Sequence, residues 1–72
     1  MTPLVLELLA WVAAKPRNYG ETMAAWRTSC PQAPVWEDAT SAGLIEVVAN
    51  GRGLEQHTVR LTRAGREALA GR

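Results

Sequence analysis

Apolar positions near the start of the chain repeat at helical spacing. Advancing about 100° per residue, Leu4, Val5, Leu8, Leu9, Trp11 and Val12 gather on one arc, with Glu7, Ala10, Ala13 and Ala14 opposite and Leu6 at the margin. Thr2-Pro3 supplies a hydroxyl cap and a proline at the first helical position, where its missing N–H costs nothing. Pro16 ends this first helix, because the residue ahead of a proline avoids helical angles. Asn18-Tyr19-Gly20-Glu21 has the form of a capping box and opens a second helix over residues 19–28, with Tyr19, Met23 and Trp26 on one face. Cys30-Pro31-Gln32-Ala33-Pro34 breaks it. A third helix starts at Pro34 and ends near Ala42, with Gly43 as a left-handed C-terminal cap.

From Leu44 the period changes to two. Ile45, Val47 and Ala49 face one way and Glu46, Val48 and Asn50 the other. After the turn residues Asn50-Gly51-Arg52-Gly53, residues 56–61 alternate again, with His57, Val59 and Leu61 on one face. Matching the apolar faces sets Ile45 opposite Leu61 and Val47 opposite Val59, which places Glu46 opposite Arg60. Thr62 caps a fourth helix over residues 63–70, which buries at most Ala64 and Leu69. Two short strands do not stand alone in water, so they pack on the helices. The predicted fold class is α+β, in the order helix-helix-helix-strand-wing-strand-helix, with residues 1–72 as one domain. Trp11, Trp26 and Trp36 come from three different helices and are expected to meet in its core, each contributing a large apolar area.

Length and composition narrow this further. Seventy-two residues are near the lower limit for a core without staples. The single cysteine, Cys30, forms no intramolecular disulfide and has no partner at metal-ligand spacing. A reducing compartment, and hence the cytoplasm, is the expectation. Residues 1–14 lack the basic opening of a secretory signal, and residues 4–14 are too short to span a bilayer, which takes about 20 residues. Charge is uneven: residues 1–50 hold three basic and five acidic residues, residues 51–72 five basic and two acidic. A basic C-terminal third favours a polyanion.

The element order, with Ala42-Gly43-Leu44 passing into a strand and Val59-Arg60-Leu61-Thr62-Arg63-Ala64-Gly65-Arg66-Glu67-Ala68-Leu69 running from strand to capped helix, resembles a winged helix-turn-helix domain. It is similar to small bacterial transcriptional regulators of the multiple-antibiotic-resistance, arsenic-responsive and phenolic-acid-repressor types. In the first segment the spacing of Trp36, Ala39 and Gly43-Leu44 carries the likeness. The resemblance covers residues 4–69 and implies that the third helix reads DNA while residues 50–55 form the wing. Fold does not fix function.

The third helix departs from that pattern. With Trp36, Ala39 and Gly43 facing inward, its outward positions are Val35, Glu37, Asp38 and Ser41, with Thr40 at the edge. A carboxylate accepts a hydrogen bond from cytosine N4, but phosphates repel it, and Lys and Arg supply most non-specific affinity. At an effective dielectric of about 20, one like-charge contact at ~4 Å is unfavourable by about 4 kcal/mol before screening.

Five residues are candidates for DNA contact. Arg52 sits between glycines at a loop tip, where it is otherwise a solvated turn arginine. Arg60 reaches phosphate or pairs with Glu46. Arg27, at the end of the second helix, positions DNA or interacts with the helix dipole. Thr40 and Ser41 donate to bases or phosphates, although small polar residues on a helix need no such purpose. Arg63 and Arg66 read as solvated, Trp36 as a core residue. Cys30 and His57 lack a third orienting group, so no enzyme, metal or cofactor is expected.

Two functions follow. The first is weak, salt-dependent binding of double-stranded DNA within transcriptional regulation. Dimerisation through Leu6 and the alanine face of the first helix would supply a second half-site. The alternative is a protein-interaction module of the same fold in which Glu37 and Asp38 meet basic residues on a partner. No membrane partner is expected.

Overall fold

Pro3 opens the first helix, α1 (Pro3–Ala14), in a computed structural model that describes residues 3–26 and 35–71. The expected cap at Thr2, the break at residues 30–34, Arg27 and Cys30 lie outside the described residues. Val5, Leu8, Leu9 and Val12 form the buried stripe of α1 at the i, i+3, i+4, i+7 spacing that its sequence shows. Leu4, expected on that arc, is 42% exposed at the first turn.

After Pro16 the chain makes a strand that the sequence did not announce, β1 (Arg17–Asn18), and then α2 (Tyr19–Trp26). The capping box is formed as expected: Glu21 N–H donates to Asn18 Oδ1 at 2.7 Å, and Asn18 N–H donates to Glu21 Oε1 at 3.2 Å. Thr22, not one of the aromatic residues, is the buried residue of α2, and its hydroxyl donates to Asn18 O at 2.8 Å. Because Asn18 satisfies an otherwise orphaned N–H, Asn18→Ala is expected to lower stability by about 1 kcal/mol, measured by urea denaturation. Glu21→Gln, which keeps an acceptor, should lose less.

Next come α3 (Val35–Ser41), β2 (Ile45–Val48), a single 3-10 turn at Leu54–Gln56, β3 (Thr58–Leu61) and α4 (Arg63–Ala70). The hairpin register is the expected one, with Ile45 opposite Leu61, Glu46 opposite Arg60 and Val47 opposite Val59. The sheet nevertheless has three strands rather than two: β1 pairs antiparallel with the other edge of β3, giving the order β1-β3-β2. The strand expected from residue 56 begins later, because Gln56 N–H and His57 N–H donate back to Gly53 O and Leu54 O and close the 3-10 turn.

Helix α1 packs on α3, α4 and β3, and the core lies between them. The tryptophans do not meet there as one cluster. Trp11 and Trp26 touch edge-to-face with centroids 6.1 Å apart, while Trp36 meets Tyr19 in the same manner at 6.0 Å. Each stays partly exposed, and Leu8, Leu9 and Val59 take the innermost positions. An indole is too large to be enclosed on all sides in so small a domain. Arg17 finishes the first pair: its guanidinium lies 3.7 Å from the Trp11 ring centroid, and its Nε donates to Trp11 O at 3.0 Å. Among the described residues, no helix is long and apolar enough to cross a membrane.

Candidate nucleic-acid interface

The short helix α3 is fixed by what it buries and by how it ends. Val35 and Ala39, one turn apart, are 7% and 0% exposed and face α1. Val35 therefore belongs to the core, which corrects the outward position expected for it. Trp36 is half-buried against Tyr19. At the C-terminus Gly43, with φ of 73°, forms a Schellman motif: Gly43 N–H donates to Thr40 O and Leu44 N–H donates to Ala39 O, both at 3.0 Å. A side chain at Gly43 would be strained in that left-handed conformation. The motif turns the chain directly into β2 and leaves one face of α3 in solvent.

Glu37, Asp38 and Ser41 occupy that exposed face. Among the described residues, neither acid has an ion-pair partner. Both stand in the first turn, where carboxylates favour the helix dipole. Thr40 is only half-exposed, and its hydroxyl points back to Trp36 O at 3.0 Å and Glu37 O at 3.1 Å. Its one proton is thus committed to the helix backbone, which leaves it chiefly an acceptor toward any ligand.

The wing presents Arg52. Asn50 braces the turn from within, its Oδ1 accepting from Arg52 N–H at 3.1 Å while its amide nitrogen donates to Gln56 O. On the far side His57 Nε2 lies 3.1 Å from Arg52 O. The backbone of Arg52 is gripped twice, whereas its guanidinium has no partner among the described residues. This role of His57, a fastener of the wing, was not visible in its strand alternation. Asn50 ahead of a Gly-Arg-Gly tip was the available signal, since Asn side chains commonly bond the backbone two residues on.

Arg60 is placed differently. Its Nε donates to Glu46 Oε2 at 2.6 Å across the hairpin, and the pair is largely solvent-exposed. An ion pair of this kind contributes at most about 1 kcal/mol, so it fixes the rotamer more than it stabilises the fold. Arg63 pairs with Glu67 at 3.0 Å, and Arg66 donates to Leu61 O at 3.3 Å. The structure thus sets Glu37, Asp38, Thr40 and Ser41 on one helix and Arg52 on the wing. No hydrogen bond or ion pair joins the two groups among the described residues.

A helix pair followed by a β-hairpin whose loop packs on α2, closed by α4, is the winged helix-turn-helix fold. The chain is similar in structure to the transcriptional regulator BldR from Sulfolobus solfataricus, with a TM-score of 0.67 and 16% sequence identity over 99% of this chain. It spans about half of that regulator, 52% of its length. No family model matches the sequence, and no curated protein shows significant similarity to it.

Proposed function

We propose that this chain is a double-stranded DNA-binding module of a transcriptional regulator, led by the wing and not by α3. The observation that carries this reading is Arg52, a cation held out on a loop whose backbone is braced by Asn50 and His57. The fold and the description of BldR as a transcriptional regulator support it. Ser41 adds a donor on α3, and Thr40 an acceptor. Arg60 contributes only by leaving Glu46, and Arg27 is the further cation that the sequence nominates. Affinity is expected to be weak, because few cations neutralise phosphate, and to fall with salt as each such contact releases its counterion. Pairing of two copies on adjacent half-sites would raise it through effective concentration. A module of this kind works in the cytoplasm and has no catalytic role.

The test is a chemical-shift titration of the chain with duplex DNA at low ionic strength. Arg52→Ala should weaken binding roughly tenfold, the ~1.4 kcal/mol scale of one charge-assisted contact, and lower the salt slope by about 1. Absence of shifts at Arg52, Thr40 and Ser41 would reject the proposal.

A second reading rests on Glu37 and Asp38, exposed and without a cation among the described residues. Here α3 meets a basic protein partner and DNA is not bound. Replacing both acids by amides separates the two readings. DNA affinity should rise several-fold as repulsion is removed, whereas an acid-dependent protein complex should dissociate.

A further inference from the structure

A second surface stands apart from α3 and the wing tip. Where α1 ends, a shallow groove of about 600 Å³ runs between the last turn of that helix, β3 and the start of α4. Val12, Ala13 and Leu61 contribute an apolar floor, and Lys15 and Arg66 stand along it; Arg60 also borders the groove, but its guanidinium turns to Glu46 on the other face of the sheet. No carboxylate is among the residues that line it.

The groove meets an unfinished sheet edge. Thr62 N–H donates to Leu44 O, toward β2, and Tyr19 N–H donates to His57 O, toward β1. Peptide groups alternate sides along an antiparallel strand, so His57, Val59 and Leu61 all turn theirs to the β1 side. Strand β1 supplies partners only opposite Val59 and Thr58. The position that would face Leu61 is Lys15, where the chain is still leaving α1. Arg66 covers the Leu61 carbonyl at 3.3 Å.

From the apolar floor, the two cations and this open edge, we infer that the groove docks an acidic, apolar-anchored peptide segment of a partner protein. Its apolar side chain fills the floor between Val12 and Leu61, and its flanking carboxylates meet Lys15 and Arg66. A guanidinium has five donors, so Arg66 can bind a carboxylate without releasing Leu61 O. Duplex DNA fits poorly, because its regular, phosphate-flanked sugars present no projecting apolar side chain to fill the floor. The acidic face of α3 on a second copy fits no better, since Val35 and Ala39 of that helix are buried in their own core. This inference does not depend on the DNA reading.

The probe is a terminally blocked hexapeptide with two leucines between pairs of acidic residues, titrated into the isotopically labelled chain. Shifts are expected at Val12, Leu61 and Arg66, and at least tenfold weaker binding when the peptide acids become amides. The double variant Lys15→Glu, Arg66→Glu should lose at least tenfold. Lys15→Glu alone, at an exposed side chain outside the core, should weaken binding measurably even if the double variant is less well folded. Arg52→Ala should bind the peptide as the parent does, which keeps this result distinct from the DNA test. The inference is overturned by silence at those three amides at millimolar peptide, or by a Lys15→Glu variant with parental affinity. It is equally overturned if benzoate gives the same shifts at the same concentration, if duplex DNA moves these amides before Arg52, or if the shifts track a doubling of solution mass.

Discussion

Gly65→Ala is expected to destabilise the domain by about 2 kcal/mol, although alanine is the better helix former. A Cβ built at Gly65 would lie 3.0 Å from the Leu44 carbonyl carbon and closer still to its oxygen. Both atoms are backbone, and the oxygen already accepts the Thr62 N–H at 3.0 Å. Relief therefore requires α4 to lift away from the sheet rather than a side chain to rotate. Overpacking of this kind costs about 3 kcal/mol at its upper range, and the gain in helix propensity returns ~1 kcal/mol. For a domain of this size the melting temperature should fall by roughly 10 °C. An unchanged or raised melting temperature would show that α4 does not seat on Leu44.

Leu8→Ala should be the more damaging change, at about 3 kcal/mol. Leu8 is 0% exposed at the centre of α1, the helix against which α3, α4 and β3 all pack. Truncation there leaves a cavity that three elements would have to close together. A small domain has few other contacts with which to compensate. Leu54→Ala on the wing is the control, since that side chain is 57% exposed and should cost close to nothing. Comparable urea midpoints for the two variants would contradict this account of the core.

The elements that the sequence made legible are those whose rules are local. Gly43 after an apolar helix face led to the Schellman cap, Thr62 to the N-cap that accepts from Gly65 N–H at 3.0 Å, and Asn18 with Glu21 to the reciprocal box. Alternation of Ile45, Val47, Val59 and Leu61 sufficed for the hairpin register. Strand β1 escaped notice because two residues have no period. Its pairing depends on where Pro16 releases the chain relative to β3, which is a tertiary matter. The tryptophans misled for a related reason: helical spacing says which face a ring occupies, not whether the domain is deep enough to enclose it.

The candidate site divides along the same line. That Glu37 and Asp38 would be exposed was readable from the helix period, and the pairing of Arg60 with Glu46 from the register. The inward turn of Val35 was not, because Val35 and Trp36 compete for the core at the start of a seven-residue helix and the smaller one takes it. The bond from Thr40 to its own helix and the double grip on Arg52 depend on rotamers that no spacing rule specifies. Lys15 and Arg66 are far apart in sequence and come together only because α1 ends beside the start of α4.

Leu44 joins two helices that serve different ends of the molecule. Its N–H closes α3, its carbonyl receives the N–H of Thr62 and lies under Gly65, and the Thr62 hydroxyl donates to neighbouring Gly43 O at 2.6 Å. One peptide unit thus closes α3 and seats α4. A substitution that displaces it is expected to loosen both helix ends together, although they lie some twenty positions apart along the chain.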